Sequence, residues 1–453
     1  MQSKSRVSQY FKNIVIFIQY LLMQNHILYK RMGLYTTGEL YPYDPQKKGL
    51  NCMKTYGIIC EYNPFHNGHI HQIEETRKHG ATHIVAIMSG NYVQRGDVAM
   101  IDKFERAKIA VNNGVDLVIE MPVVYSLSSA NFFARAGVMM LGALGCVDGI
   151  SFGSECGDIA LLKNAAMASL NATTPEKVKP FLEKGMSFPQ AVQQIVGAEY
   201  GPIISSVFDS PNNVLAVEYL KALKVLNLEM DTFTIKRKGA DHDSMNAVDG
   251  IASGSLLRQM IEDGEDISAY VPKDMAELVA EYDDKDMLAY FDNLERELLY
   301  ILRSLVPPII SECPDVDPGL ANLIFASAIK SNSIDEFLET VDTKRYTTAK
   351  LRRILLNLYI GAKASDLMIM PPYGRILAFN EKGTEILKAA KEKAEGNKYA
   401  IPFNTSLKDI VELQKPPINR FADLSNRATN LYGLASRTIR PCAEEFTTKI
   451  EIQ

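Results

Sequence analysis

Fourteen residues, Tyr56-Gly57-Ile58-Ile59-Cys60-Glu61-Tyr62-Asn63-Pro64-Phe65-His66-Asn67-Gly68-His69, constrain this chain more than any other stretch. They read as a buried strand, a sharp turn and the start of a helix. Tyr56 to Cys60 is a short apolar run of the kind that fills a parallel strand, Asn63-Pro64 breaks it, and Gly68 permits close approach of backbone to backbone. His66 and His69 lie three residues apart, a spacing that puts both imidazoles on one face of a helical turn. Unpaired backbone N–H groups and the positive end of the helix dipole lie there too, so a phosphate chain suits these parts. The alternative is a pair of capping or core histidines with no ligand.

From Met53 to about Gly153 short apolar runs alternate with helical patterns. Strands at 56–60, 83–88, 115–120 and 149–152 are separated by helices at 68–79, 102–113 and 126–144. That order predicts an α/β fold with right-handed crossovers and a parallel sheet, its ligands outside the carboxyl ends of the strands. Those ends carry Glu61 to Asn63, Ser89 to Asn91, Glu120 to Pro122 and Phe152 to Glu155. Gly153 stands out among them, because a residue without Cβ lets a bound purine approach the backbone. The polar loop Gly90 to Asp97 is placed by topology to close over a substrate. Lys103 and Arg106, behind an Asp102 cap, are either a solvated helix face or a hold on a phosphate or a carboxylate. Helices follow at 158–170, 175–197 and from about 213 to 225, then a strand at 231–236.

His66-Asn67-Gly68-His69 fits the HxGH signature of the nucleotidylyltransferase superfamily, and the run from Glu61 to His69 resembles the bacterial tRNA(Met) cytidine acetate ligase family. The resemblance extends from Met53 to about Tyr432. It implies a Rossmann-like nucleotidylyltransferase sheet over residues 53–265, followed by a mostly helical domain, residues 266–453, that binds tRNA. It implies an ATP site made of Ile59, Cys60, Glu61, Tyr62, Asn63, Pro64, Phe65, His66, Asn67, Gly68 and His69, with His66 and His69 as the catalytic pair. Gly153 in Phe-Gly-Ser-Glu, Asn212 in Pro-Asn-Asn and Arg237 in Ile-Lys-Arg match nucleotide contacts of that family. Ser253-Gly254-Ser255-Leu256-Leu257-Arg258 resembles the superfamily's Ser-rich segment ending in Arg, where hydroxyls, backbone N–H groups and a guanidinium hold phosphates, so Ser253 and Arg258 join the set. ATP is then a substrate, with Mg²⁺ held mainly by its phosphates and no metal ligand from the protein. Acetate is activated to acetyl-adenylate, and the exocyclic amine of the wobble cytidine in elongator tRNA(Met) takes the acetyl group.

Beyond about Met287 helical patterns prevail, at 294–305, 318–331, 334–341 and 348–358, and predict a bundle. A strand is expected beside it at 370–379. Lys344, Arg345, Lys350, Arg352 and Arg353 crowd ten residues around Tyr346. In a chain of net charge -5 such a local patch is either a tRNA-backbone platform or a solvated surface. Six cysteines without a C-x-x-C pair predict reduced thiols in a cytoplasm and no zinc site. Phe11 to Met23 is too short and too interrupted for a membrane span, and residues 1–52 read as an extension without a role ahead of a functional start at Met53. No membrane and no protein partner are expected. Two other readings compete: a nucleotidylyltransferase that adenylylates a phosphorylated small molecule, and an RNA-binding protein regulated by a nucleotide.

Overall fold

The first strand, β1 (Thr55–Cys60), is buried along its whole length. In the computed structural model, which describes residues 53–237, 250–342, 346–450 and 452–453, β1 leads through α1 (Asn67–Lys78) to β2 (His83–Ser89). The two strands pair in parallel, from Thr55 opposite His83 to Cys60 opposite Met88. Next, α2 (Lys103–Asn112) carries the chain to β3 (Leu117–Met121), parallel to β2. The chain then reverses direction across the sheet. After α3 (Ala130–Leu144), β4 (Gly149–Ser154) pairs with the other side of β1, and β5 (Asp231–Lys236) follows α4 (Pro211–Leu226) to extend the sheet past β4. The reversal makes the β1/β4 boundary a topological switch point, where the crossovers leave to opposite sides and a crevice opens at the carboxyl ends.

Two further strands come from the second half of the chain. β6 (Gly374–Phe379) runs antiparallel to β3, and β7 (Phe403–Asn404) pairs with β6, giving the order β5-β4-β1-β2-β3-β6-β7. The strand expected beside the helical half is thus a member of the main sheet. Its residues explain why: Ile376 belongs to the core on one face, Leu377 and Ala378 to the core on the other, and a strand apolar on both faces must be covered on both.

The same alternation divides the sheet. Ile58, Cys60, Ile84, Ala86 and Met88 face a core closed by Phe104, Ala107, Leu256 and Leu257. Ile59, Val85, Ile87 and Ile119 face another, which runs without interruption into Leu141, Leu298, Phe337, Leu355 and Phe421. The helical half therefore packs on one face of the sheet through a shared core. Its helices lie near the expected places, among them Glu295–Ser304, Pro318–Ala328, Ile334–Val341 and Thr348–Ile360.

One expected helix is broken. Residues 175–197 form Pro175–Glu183 and Phe188–Tyr200, because Gly185 takes φ +85°, a left-handed backbone that ends a helix, and Ser187 caps the next one. Among the described residues no helix is long and apolar enough to cross a membrane. The expectations for residues 1–52 lie outside the described residues.

Candidate functional site

The crevice at the switch point is built by the turn after β1. Tyr62 takes φ +51° and the Asn63-Pro64 peptide is cis. Asn63 is held at both ends: its Oδ1 accepts from the Met100 N–H at 2.9 Å, and its carbonyl accepts from Arg258 Nη1 at 2.8 Å. His66 then caps α1. Its Nδ1 accepts from the Gly68 N–H at 3.1 Å, while His69 Nδ1 accepts from the His66 N–H at 3.1 Å, a reciprocal capping box made of two imidazoles.

That box fixes the chemistry of both rings. A nitrogen that accepts carries no proton, so the neutral rings carry theirs on Nε2. The rings stack with centroids 3.7 Å apart. Burial pushes the pKa of His66 down to about 3, with Arg237 and Arg258 adding to the effect. Burial also lowers that of His69, helped by His66 and Arg237. Both rings are therefore neutral at pH 7, and each keeps an Nε2–H that meets no hydrogen-bond acceptor among the described residues. The capping reading holds for the Nδ1 atoms, and the Nε2–H groups stay available for a ligand.

The rest of the fourteen-residue stretch supports this pair. A Cβ on residue 68 would come within 2.9 Å of His66 Cε1, so the capping ring itself requires glycine there. Asn67 Nδ2 donates to the carbonyls of Gly250 and Ala269, both at 3.1 Å, and its N–H donates to Tyr270 O at 2.9 Å, which pins the helix start to a distant segment. Tyr62 meets the His69 ring edge-on at 4.8 Å and Phe65 lies 5.4 Å from it, so both brace the imidazole. Ile59 and Cys60 point into the two cores, and Pro64 is buried. Their side chains are committed to packing. Glu61 accepts from the Gln94 N–H at 2.7 Å, and burial raises its pKa against the pull of Arg258, Arg95 and Arg106.

The other candidates converge from three directions. At the end of β4, the Glu155 carboxylate accepts from the Asn212 N–H at 3.1 Å, Asn212 Nδ2 at 2.7 Å and the Asn213 N–H at 2.8 Å. Beyond β5, the Arg237 N–H donates to Ser154 O at 3.0 Å. Burial lowers the pKa of the Arg237 guanidinium, and Glu155 opposes the shift. A Cβ at Gly153 would lie 3.5 Å from Arg237 Cγ, an ordinary contact, so the protein alone does not demand glycine there. Ser253 caps α5 (Gly254–Glu262), its hydroxyl accepting from the Leu256 N–H at 3.1 Å and lying 3.3 Å from the Ser255 hydroxyl. One turn on, Arg258 reaches back to Asn63. Two guanidiniums from opposite ends of the site thus flank two neutral N–H donors, which is a cradle for a polyphosphate. Among the described residues no group of three His, Cys, Asp or Glu side chains is placed to hold a metal.

Comparison with known proteins shows the family. The model of the HIGH Nucleotidyl Transferase family matches residues 53–445. A tRNA(Met) cytidine acetate ligase of Alkaliphilus metalliredigens is 36% identical over 411 residues, covering 84% of this chain and 94% of its own. One from Acetivibrio thermocellus is 34% identical over 421 residues, covering 88% and 100%. The chain belongs to the tRNA(Met) cytidine acetate ligase family. As a member of this nucleotidyl transferase family it is an ATP-dependent ligase. The crystal structure of Thermotoga maritima TmcAL superposes with a TM-score of 0.80 at 30% identity, covering 88% of this chain and all of that one. The same protein bound with alpha-thio ATP gives 0.79 at 29% identity.

Several cations of this ligase are already engaged. Arg106 is buried and donates to backbone carbonyls only, Ile101 at 2.8 Å, Ser89 at 3.2 Å, and those of Glu61 and Gly90. It ties the ends of β1 and β2 together. Lys103 is buried between Glu120, at 2.7 Å, and Glu445. Neither steadies a phosphate or a carboxylate substrate. The Gly90 to Asp97 loop is not free to close: Tyr92–Val93 pairs with Asp97–Val98, and α6 (Thr348–Ile360) clasps the hairpin. Arg352 Nε donates to Gly96 O at 3.1 Å and Arg353 Nη1 to Gln94 O at 3.2 Å, while Arg352 also pairs with Asp97 at 3.1 Å. A Cβ on Gly96, at φ +77°, would sit 2.6 Å from Arg353 N.

These bonds engage two of the five cations of the expected basic platform. Arg352 and Arg353 turn toward the hairpin, Tyr346 is buried with its hydroxyl 3.2 Å from Asp317, and Lys350 lies 5.2 Å from the Tyr346 ring centroid. Lys344 and Arg345 lie outside the described residues. Two residues at the crevice were not singled out from the sequence, Glu155 on the rim of β4 and Arg95 in the loop. Arg95 lies in the field of Glu61, Arg237 and Arg258. The signal for it was a lone cation in a loop already placed beside the crevice.

Proposed function

We propose that the chain activates acetate with ATP and transfers the acetyl group to the N4 amine of the wobble cytidine of elongator tRNA(Met), giving N4-acetylcytidine. The observation that supports this most is the pair of neutral Nε2–H donors flanked by Arg237 and Arg258 at the switch point. In the first step a carboxylate oxygen of acetate attacks the α-phosphorus of ATP and pyrophosphate leaves, giving acetyl-adenylate. No covalent enzyme adduct is needed, so the protein contributes alignment and stabilises the charge that develops on the phosphates. His66 and His69 donate to phosphate oxygens without titrating, and Arg237 and Arg258 supply fixed positive charge. Mg²⁺ held mainly by the phosphates supplies Lewis-acid polarisation when bound. Gly153 leaves room for the nucleoside, with Asn212 held beside it by Glu155. In the second step the cytidine nitrogen attacks the acetyl carbon and AMP leaves.

The names of the relatives and the nucleotide-bound neighbour support ATP and tRNA(Met) as ligands. In this reading residues 53–265 hold the nucleotide and residues 266–453 meet the tRNA, with Lys344, Arg345 and Lys350 as cations for its backbone. The setting is the cytoplasm, where ATP and tRNA occur together. The test is nucleoside mass spectrometry of elongator tRNA(Met) after incubation with the chain, ATP and isotopically labelled acetate. Labelled N4-acetylcytidine at the wobble position is expected, and a tRNA left unmodified contradicts the proposal.

A further inference from the structure

A concavity opens beside Arg258. It has a volume of about 600 Å³ and is lined from both halves of the chain, by the hairpin end at Asp97, by α5, by the segment 283–293 and by Arg352. That size falls within the roughly 300–1,000 Å³ of small-ligand sites. The cleft is joined to the nucleotide site: Arg258, which bonds to Asn63 beside His66, interacts electrostatically with both Asp97 and Glu61.

Its charge decides what it accepts. Five carboxylates line it, among them Asp97, Glu262 and Asp292, against three guanidiniums. Arg352 is already paired with Asp97 at 3.1 Å. A lining of this sign disfavours acetate, pyrophosphate or a phosphorylated acceptor, and favours an uncharged group that presents N–H donors. The cleft also offers a flat surface. The Arg352 guanidinium, 4.0 Å over the buried Phe291 ring, and Tyr290 both line the cleft, and a guanidinium plane or an aromatic ring is the kind of surface on which an unstacked base rests.

We infer that this cleft takes the acceptor base, with Glu262 and Asp292 accepting hydrogen bonds from its exocyclic amine. The inference rests on the acetyl-transfer reading above. Carboxylates accept from the N4 amine of cytosine, which neither uracil nor thymine carries. Arg258 and Glu262 are four residues apart on α5 and so share a face, the first turned to the phosphates and the second to the amine. In the transfer step the amine nitrogen forms a bond to the acetyl carbon. The bond from that carbon to the phosphate oxygen breaks, AMP leaves with the electron pair, and one amine proton passes to the Glu262 carboxylate. Burial, together with Asp292 and Asp97, raises the pKa of that carboxyl, which makes it a better proton acceptor.

The experiment compares the parent chain with Glu262→Gln and Asp292→Asn, two exposed positions where the fold tolerates change. Acetate-dependent ATP–pyrophosphate exchange and acetyl transfer to elongator tRNA(Met) are measured on the same preparations. Transfer is expected to fall by about tenfold to a hundredfold in each variant, the discrimination such a contact provides, with exchange within about twofold of the parent. The salt dependence of tRNA binding is expected to stay the same, because no phosphate contact is lost. Unchanged transfer in both variants overturns the inference, as does an equal fall in exchange and transfer. A parent chain without acetate-dependent exchange overturns the functional reading instead, and that result is read before any variant is made.

Discussion

Two clusters of cations sit at the carboxyl ends of this sheet, and their fates are opposite. Around Lys103 the charges are used up internally. Lys103 meets Glu120 and Glu445, Thr429 donates to Glu445 at 2.6 Å, Arg375 donates to the Glu445 carbonyl at 3.2 Å, and all these side chains are buried. Burial alone would lower the pKa of Lys103, but the two carboxylates raise it on balance. Around His66 the charges are left open. Arg237 and Arg258 have no carboxylate at salt-bridge distance among the described residues, and the two imidazoles keep their Nε2–H groups. Residue type does not separate a structural cation from one that waits for a ligand; the presence of a buried counter-charge does.

The comparison is broken most severely at the closed cluster. Glu445→Ala should leave buried positive charge without its partner and destabilise the fold by about 3–5 kcal/mol. Urea unfolding checks this, and the molecules that remain folded should keep the parental turnover. At the open cluster the effects reverse. His69→Ala should lower acetate activation by about 10²–10³, the usual loss for one preorganised donor, while the lost capping bond from the His66 N–H costs only about 1 kcal/mol of stability.

The pH dependence sharpens the contrast. Unfolded His66 titrates near its ordinary value of about 6.5, whereas the folded ring titrates at about 3. Between those values the unfolded chain binds more protons, so the stability His66 confers is present above pH 6.5 and is lost as the pH falls toward 3. The slope is at most about 1.4 kcal/mol per pH unit. Urea midpoints of the parent and of His66→Asn should therefore converge as the pH falls through this window. The smallest effect belongs to Gly153→Ala. The protein has room for the methyl group, so stability should stay within about 0.5 kcal/mol, while KM for ATP should rise about tenfold if the nucleoside lies against that backbone. An unchanged KM would remove Gly153 from the site.

Much of this was legible in the sequence because it is local. The apolar run of β1, the Asn63-Pro64 turn and the His66/His69 spacing are read within fourteen residues, and β5 was placed at 231–236 by its β-branched and aromatic content. What was not legible depends on partners far along the chain. Lys103 and Arg106 read locally as either a solvated helix face or a hold on a ligand, because Glu445 and the carbonyls of β1 and β2 that engage them are not local. Arg352 and Arg353 looked like an RNA platform because the hairpin they clasp lies more than two hundred residues earlier. β6 was expected next to the bundle, since nothing local says which sheet edge a two-faced apolar strand will join. The capping box was hidden for a different reason: spacing puts two histidines together but does not say which nitrogen faces the backbone.

The central claim is that His66 and His69 act as neutral donors to the phosphates during activation of a carboxylate. The most direct measurement is ATP–pyrophosphate exchange by the purified chain, His66→Ala and His69→Ala, each with and without acetate and with no RNA present. The account predicts exchange that requires acetate and falls at least a hundredfold in either variant. Exchange at the parental rate in either variant, or exchange indifferent to acetate, would contradict it.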